Sequence, residues 1–316
     1  MKAKRRKERE SRPTTAVVGG GALARAFLPG LVARGYPVLA LAASTRASAR
    51  KATRGFEGIR ATASVKDAVR DARLVLLAVP DREIGPLARV LARDLRGQWD
   101  RRVVLHHAGA LGLEPLAPLS REGASVGVLH PLQSLGRGPL AASLLSGARA
   151  RIEGDSRAAT LGRRLARDLG LVPFSLPRGS SAADRHAYHA AASLVSNDLL
   201  ALVSIAVRLL GRIGVKPDAA LRALAPLARG TLAQIADAGL VGGLTGPVAR
   251  GDAVTLAVQL RRLATFSPEV SAVHRLLSRE ILDLARASGR LTTRQARAVR
   301  GVLQGASGGR SFRPGV

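Results

Sequence analysis

Residues 14–46 read TTAVVGGGALARAFLPGLVARGYPVLALAASTR. The apolar run at residues 16–18 predicts a strand that leads into three glycines. A helical pattern follows to about residue 33, and residues 38–42 predict a second strand. The segment is therefore a β-α-β unit that opens with the pattern G-x-G-x-x-A. In this context the pattern is typical of a dinucleotide-binding turn.

Three small residues of this turn have separate physical roles. Gly19 allows the sharp change of direction from strand to helix, and Gly21 lets backbone N–H groups approach a pyrophosphate. Ala24 is small enough for the helix to lie close to the sheet. The helix N-terminus adds unpaired donors and about half a positive charge. We therefore predict cofactor binding at Gly19, Gly21 and Ala24, the alternative being a related fold that has lost its ligand.

The residues after the second predicted strand bear on the choice of cofactor. An NAD site usually places an acidic residue there to accept from the ribose 2′-hydroxyl. This chain instead has Ser44, Thr45 and Arg46. Two hydroxyls and a guanidinium suit a 2′-phosphate, because arginine binds phosphate oxygens in pairs. The pattern favours NADP over NAD, although NAD stays possible, and Arg46 is alternatively an ordinary surface arginine.

The chain is strongly basic, with a net charge of +28 over 316 residues. Such a charge attracts nucleic acids, anionic membranes and small anions alike. However, only 6 of the 50 basic residues are lysine, and the arginines are scattered through predicted helices. Aromatic residues amount to 3%, which leaves few platforms for stacking bases. We therefore expect no specific nucleic-acid binding and expect small anionic ligands instead.

Cysteine is absent, which excludes disulfides and thiolate chemistry. The six histidines show no metal-binding spacing, so we expect no metal site. Residues 1–13 are expected to form a disordered basic tail rather than a signal peptide. The apolar residues 194–210 contain Asn197, Asp198 and Arg208, which predicts a buried helix and no membrane span. These features favour a cytoplasmic protein.

The periodicity divides the chain into two parts. Strand and helix patterns alternate up to residue 178, which predicts a doubly wound parallel sheet in residues 14–178. From residue 182 only helical patterns occur, so residues 179–304 are predicted to form an all-helical domain. Residues 305–316 are predicted to be a flexible tail. The fold class is therefore α/β followed by an all-helical domain.

Polar residues follow several of the predicted strands. Pro80, His106 and His130 each fall at or just after a strand end. The carboxyl ends of parallel strands meet at one edge of a sheet, where ligands bind. We predict Pro80 beside the cofactor and a site role for at least one histidine, although a lone histidine at a strand end is usually structural.

A second group of candidates lies in the helical part. His189, Ser193 and Asn197 are spaced four residues apart and share one face of a predicted helix. Buried polar groups need partners, either a substrate or other protein groups such as interhelix hydrogen bonds. Arg250 follows a Gly-Pro turn and is a candidate for binding a carboxylate, an internal salt bridge being the alternative.

The part of the chain from residue 14 to about residue 263 resembles a family of Rossmann-like oxidoreductases that carry a C-terminal helical domain of unknown function. Members are distantly related to pyrroline-5-carboxylate reductase, ketopantoate reductase and 6-phosphogluconate dehydrogenase. The segments VVGGGALA, HHAGAL, HPLQS, YHAAASLVSN and LTGPVARGD carry the resemblance. It implies NAD(P) binding at the glycine turn, a Rossmann sheet, a second domain like the C-terminal domain of 6-phosphogluconate dehydrogenase, and a homodimer.

The chain also departs from its relatives. Where related hydroxyacid dehydrogenases have a lysine four residues before the helical asparagine, this chain has Ser193, so their lysine-based proton transfer does not carry over. We therefore expect His189 or His106 to move the proton, with Asn197 beside it and with His130, Ser193 and Arg250 binding substrate. The expected function is an NADP-preferring oxidoreductase for a small carboxylate with a C=O or C=N group. The alternative is a non-catalytic nucleotide sensor or scaffold.

Overall fold

The computed structural model describes residues 12–136 and 142–305. The predictions for the two tails lie outside the described residues, apart from residues 12, 13 and 305.

The first part of the chain folds around an eight-stranded sheet with the order β3-β2-β1-β4-β5-β6-β7-β8. The strands are β1 Thr15–Val18, β2 Val38–Ala42, β3 Arg60–Thr62, β4 Leu74–Leu77, β5 Val103–His106, β6 Ser125–Pro131, β7 Arg149–Gly154 and β8 Val172–Phe174. The predicted doubly wound sheet is confirmed, with one difference. β7 runs antiparallel to β6, whereas the other neighbouring strands are parallel. An apolar run predicts a strand but carries no information on its direction.

Helices cover both faces of this sheet. They are α1 Ala22–Ala33, α2 Arg46–Thr53, α3 Val65–Val69, α4 Asp81–Asp94, α5 Ala117–Arg121 and α6 Ser156–Asp168, and the largely exposed α7 Ala182–Ser193 follows β8. Successive residues of β1 point to opposite layers: Val17 packs in one core with Phe27, and Val18 packs in the other with Ile84. Two buried faces explain why the central strands read as continuous apolar runs.

The chain divides into two compact units, Met1–Ser196 and Asn197–Val316. In this division α7 lies with the sheet, whereas the sequence pattern assigns it to the helical domain. A π-helical segment, Leu194–Asp198, follows α7 and is continued by α8 Leu199–Gly211. The remaining helices are α9 Pro217–Gly242, α10 Gly246–Ala249, α11 Ala253–Phe266, α12 Pro268–Ala287 and α13 Thr293–Gln304.

The second unit has a small core and a large exposed apolar surface. Leu256, Leu260, Leu282, Val299 and Leu303 form its core. α8 contains no buried residue, so the predicted burial of this helix is wrong for the single chain. Among the described residues, Ala182–Gly211 passes a length and composition test for a membrane-crossing helix, with a mean hydropathy of 1.8. One such helix is weak evidence, because core helices of soluble proteins pass the same test.

Candidate functional site

The glycine turn lies at the carboxyl end of β1, between β2 and β4, where the order of strands reverses. Gly19 has φ +115°, and a Cβ there would lie 2.1 Å from the carbonyl oxygen of Ala78. Only glycine fits this position. A Cβ on Gly21, by contrast, would meet no heavy atom within 4 Å. The turn therefore packs tightly against the backbone of Ala78 at Gly19, whereas at Gly21 it borders empty space.

The first helix begins directly at this opening. Gly21 is the N-cap of α1, and no side chain caps the helix. Its first N–H groups are therefore available to an anion, in line with the positive end of the helix dipole. Ala24 is completely buried between α1 and the sheet, as its small side chain allows. The geometry of an open, uncapped helix N-terminus fits a pyrophosphate.

The end of β2 presents polar and basic groups. Ser44, Thr45 and Arg46 are exposed, and Arg46 is the first residue of α2. The Thr45 hydroxyl accepts from the Ser48 backbone N–H at 3.1 Å and donates to the Ser48 hydroxyl at 2.9 Å. Thr45 therefore works first as a helix cap. α2 contains no acidic residue, so its N-terminus is basic and also carries the helix dipole. Pro80 is the N-cap of α4, at the end of the neighbouring β4 segment.

The two histidines that end β5 hold the loop that follows. His106 is fully buried; its Nε2 donates to the Gly112 carbonyl at 2.7 Å and its Nδ1 accepts from the Ala108 N–H at 3.2 Å. Burial lowers the pKa of His106 to about 4. His107 lies edge-on to Phe27, and burial lowers its pKa to about 3. Both nitrogens of His106 are thus bound to backbone, and its catalytic role stays a prediction.

A polar cluster lies at the same edge of the sheet, between β6 and α7. His130 Nδ1 forms a hydrogen bond of 2.9 Å with the hydroxyl of Tyr188. The rings of His130 and His189 stand edge to face with 6.2 Å between centroids. A Cβ on Gly109 would lie 2.5 Å from His189 Nδ1 and 2.9 Å from His130 Nε2, so glycine leaves the space in which the two imidazoles face each other. Burial, followed by the charge of Arg151, lowers the pKa of His130 to about 4.

A buried ion network supports this cluster. Arg151 on β7 is completely buried and donates to the carbonyls of Leu111 at 2.7 Å and Ala108 at 3.3 Å. Its other nitrogen pairs with Glu153 on the same strand. Glu153 also pairs with Arg185 of α7 at 3.4 Å. The network therefore joins the loop after β5 to β7 and α7. Burial lowers the pKa of Arg151 from its ordinary value, and Glu153 opposes this shift.

The structure brings together some predicted residues and separates others. His130 and His189 meet, as described. Ser193 is half-buried at the last turn of α7, and Asn197 lies in the π-helical segment. The shared face of His189, Ser193 and Asn197 stays a prediction. Arg250 is exposed in the second unit, where its carbonyl accepts from the side-chain amide of Gln295 at 3.2 Å.

Sequence reasoning missed Tyr188, Arg151 and Glu153. Tyr188 is one of only two tyrosines, and this rarity, together with its place beside His189, is the signal that the sequence offers for it. Arg151 gave no signal because arginine is abundant throughout the chain. Within residues 12–136 and 142–305, no group of three or more histidine or carboxylate side chains is placed to hold a metal ion.

A doubly wound sheet with an open glycine turn at the reversal of strand order defines the class of dinucleotide-binding Rossmann folds. The comparisons agree with this class. Residues 3–131 match the model of a Rossmann-like domain, and residues 149–281 match a domain of unknown function, DUF2520. The chain is thus a Rossmann-like protein with a DUF2520 domain. No curated protein matches it.

Solved structures share the fold over nearly their whole length. A Bacteroides fragilis protein, provisionally named an NADP oxidoreductase, is 20% identical and has a TM-score of 0.69, over 85% of this chain and 98% of its own. A Thermotoga maritima protein is 22% identical with a TM-score of 0.63, over 87% and 99%. Pyrroline-5-carboxylate reductase from Coxiella burnetii is 15% identical with a TM-score of 0.57, over 93% and 98%. At these identities the likeness is one of fold.

Proposed function

We propose that this protein is an NADP-preferring oxidoreductase that acts on a small carboxylate with a C=O or C=N group. The open, uncapped helix start at Gly21 carries the proposal, because it offers backbone donors and space where a pyrophosphate would lie. The names of the Bacteroides and Coxiella proteins, an NADP oxidoreductase and a pyrroline-5-carboxylate reductase, support the same class. NADPH, when bound, supplies the hydride.

In this proposal the turn from Gly19 to Ala24 holds the pyrophosphate, and Pro80 lies beside the cofactor. Ser44 and Arg46 bind the 2′-phosphate together with the N-terminus of α2, while Thr45 mainly caps that helix. The exposed guanidinium of Arg46 has no hydrogen-bond or ion-pair partner among the described residues, so it is free to bind an anion. NADP is preferred over NAD because no carboxylate follows β2 to repel the phosphate.

Replacing Arg46 with alanine tests the cofactor preference. We expect Arg46→Ala to weaken NADPH binding by about 10- to 100-fold, because a charge-assisted hydrogen bond contributes roughly 1.5–3 kcal/mol. Affinity for NADH should not change. Fluorescence titration of both cofactors measures the effect, and Arg93→Ala, an exposed arginine at the far end of α4, is the matched control. Equal wild-type affinity for NADH and NADPH would contradict the preference.

The substrate class rests on the basic charge of the chain and on the polar groups beside the sheet edge. We propose that His130 and Ser193 contact the substrate, and that His189 acts near the reacting group. Pyrroline-5-carboxylate and small 2-oxo acids are the first compounds to test with NADPH, by loss of its absorbance. Cofactor binding without turnover of any of them would favour the second candidate, a non-catalytic nucleotide sensor or scaffold.

We further propose that the protein is a cytoplasmic homodimer. α8 buries no residue, and Leu200, Leu221, Leu227, Leu232 and Leu240 on α8 and α9 are each about half or more exposed. A second copy offers the same apolar surface, as a symmetric interface requires. Light scattering should give twice the chain mass. Leu227→Asp should yield monomers, whereas Val90→Asp, on the exposed face of α4, should leave the dimer intact. A monomeric wild type would contradict the dimer; partition into lipid vesicles would point to a membrane instead.

A further inference from the structure

The reduction in the proposed function needs a proton donor, and the described residues at the sheet edge narrow the choice. His106 has both nitrogens bound to backbone. His107 donates from Nδ1 to the Leu129 carbonyl at 2.5 Å and is buried against Phe27, so its remaining nitrogen is an acceptor. The ring proton of each is already donated to a backbone carbonyl. The polar cluster of Tyr188, His130 and His189 is therefore where a donor is to be sought.

Tyr188 has the contacts that a tyrosine acid needs. Its hydroxyl is held at 2.9 Å from His130 Nδ1, and its ring stands edge to face with that imidazole at 5.7 Å. The guanidinium carbon of Arg151 lies 5.7 Å from the Tyr188 ring centroid. A buried cation beside a phenol stabilises the phenolate that remains after proton loss. The ring of Phe174 also lies beside that of Tyr188, with 6.0 Å between centroids.

The same cluster contains a route back to solvent. His130 is half-buried, and its Nε2 and Nδ1 of His189 border the same space beside Gly109, at 2.9 Å and 2.5 Å from the point that a Cβ there would occupy. His189 is exposed. Tyr188, His130 and His189 therefore form a line from a half-buried hydroxyl to the surface. Gly109 keeps that line open, because any side chain at this position would stand between the two imidazoles.

We propose that Tyr188 is the catalytic acid and that His130 and His189 are the relay that restores its proton, an inference that rests on the proposed oxidoreductase function. NADPH, when bound, would supply the hydride, and Tyr188 would give its hydroxyl proton to the oxygen or nitrogen of the C=O or C=N group. The phenolate then takes the Nδ1 proton of His130. In the same step Nε2 of His130 takes a proton from solvent by way of His189, so the imidazole stays neutral. Proton exchange with solvent then returns the proton to Nδ1 before the next turnover.

The charges that face this relay come from several elements. Arg151 and Glu153 lie on β7, Arg185 on α7 and His106 on β5. Burial raises the pKa of Tyr188, and Arg151 opposes that rise. The hydroxyl therefore stays protonated at neutral pH and is ready to donate. Burial and Arg151 also keep His130 neutral, so its imidazole can pass one proton at a time.

The role of Tyr188 is tested by steady-state kinetics with NADPH and whichever of the screened carboxylate compounds the wild-type protein reduces. Tyr188→Phe should lower kcat by about 100-fold, as loss of a general acid does, with KM and NADPH affinity unchanged within about threefold. Tyr36→Phe is the matched control. The Tyr36 hydroxyl donates to Asp168 at 2.8 Å and takes no part in the cluster. Gly109→Ala should also lower kcat. Wild-type rates in Tyr188→Phe would overturn the proposal, whereas absence of NADPH binding in the wild type would overturn the oxidoreductase function itself.

A measurement without substrate tests the link between Tyr188 and His130. The protein has two tyrosines, and burial and Asp168 raise the pKa of Tyr36, so near-ultraviolet absorbance of tyrosinate reports Tyr188 first. His130→Leu removes the partner that stabilises the phenolate and should move this ionisation up by about one pH unit or more. An unchanged or lower ionisation pH would overturn the relay. Circular dichroism verifies that each variant is folded.

Discussion

Gly21→Val should abolish NADPH binding and leave the protein folded. The backbone at Gly21 is extended, with φ −76° and ψ −167°, a conformation that any residue adopts. A Cβ there would meet no protein atom within 4 Å, so valine points into the space where we place the pyrophosphate. Losing two charge-assisted bonds of roughly 1.5–3 kcal/mol each weakens binding by more than about 100-fold.

Fluorescence titration with NADPH and urea unfolding measure the two halves of this expectation. The free energy of unfolding should change by no more than about 0.5 kcal/mol. Gly19→Ala is the contrasting variant, because its Cβ would lie 2.1 Å from the Ala78 carbonyl oxygen at a φ of +115°. That variant should lose roughly 3 kcal/mol or fail to fold. Normal NADPH affinity in Gly21→Val would place the cofactor elsewhere or remove it from the proposal.

Arg151→Met should destabilise the sheet unit by about 3–5 kcal/mol, the usual effect of breaking a buried ion pair. Methionine keeps an unbranched apolar stem but donates no hydrogen bond. The carbonyls of Ala108 and Leu111 then lose their donor, and Glu153 keeps only Arg185 as an ionic partner. Because the same loop lies beside the polar cluster, its position should loosen as stability falls.

Urea unfolding of wild type and variant at one pH measures this loss. Arg149→Met is the matched control, since Arg149 is exposed two residues earlier on β7 and its replacement should cost no more than about 0.5 kcal/mol. Equal stability of the two variants would show that the Arg151 network contributes little. In that case the loop after β5 would be held chiefly by His106 and His107.

Local patterns were sufficient for much of the fold and for the cofactor turn. Glycine at residue 19 follows from a sharp turn whose backbone only glycine adopts, and the change from strand to helix patterns near residue 180 marks the start of the helical half. These features depend on residues that are neighbours in the chain, so the sequence predicts them. The short strand β3 and the antiparallel direction of β7 could not be predicted, because they depend on pairing with strands distant in sequence.

The chemistry of the polar cluster depended on contacts between distant residues. His106 and His130 look alike in the sequence, each ending an apolar strand. Folding gives His106 two backbone partners and gives His130 a hydroxyl 58 positions away. Arg151 is likewise one arginine among many until β7 carries it into the interior. Residue types and local spacing therefore predicted a nucleotide-binding turn. The cluster of Tyr188, His130 and Arg151 could not be predicted in this way, because only the folded sheet and α7 bring these residues together.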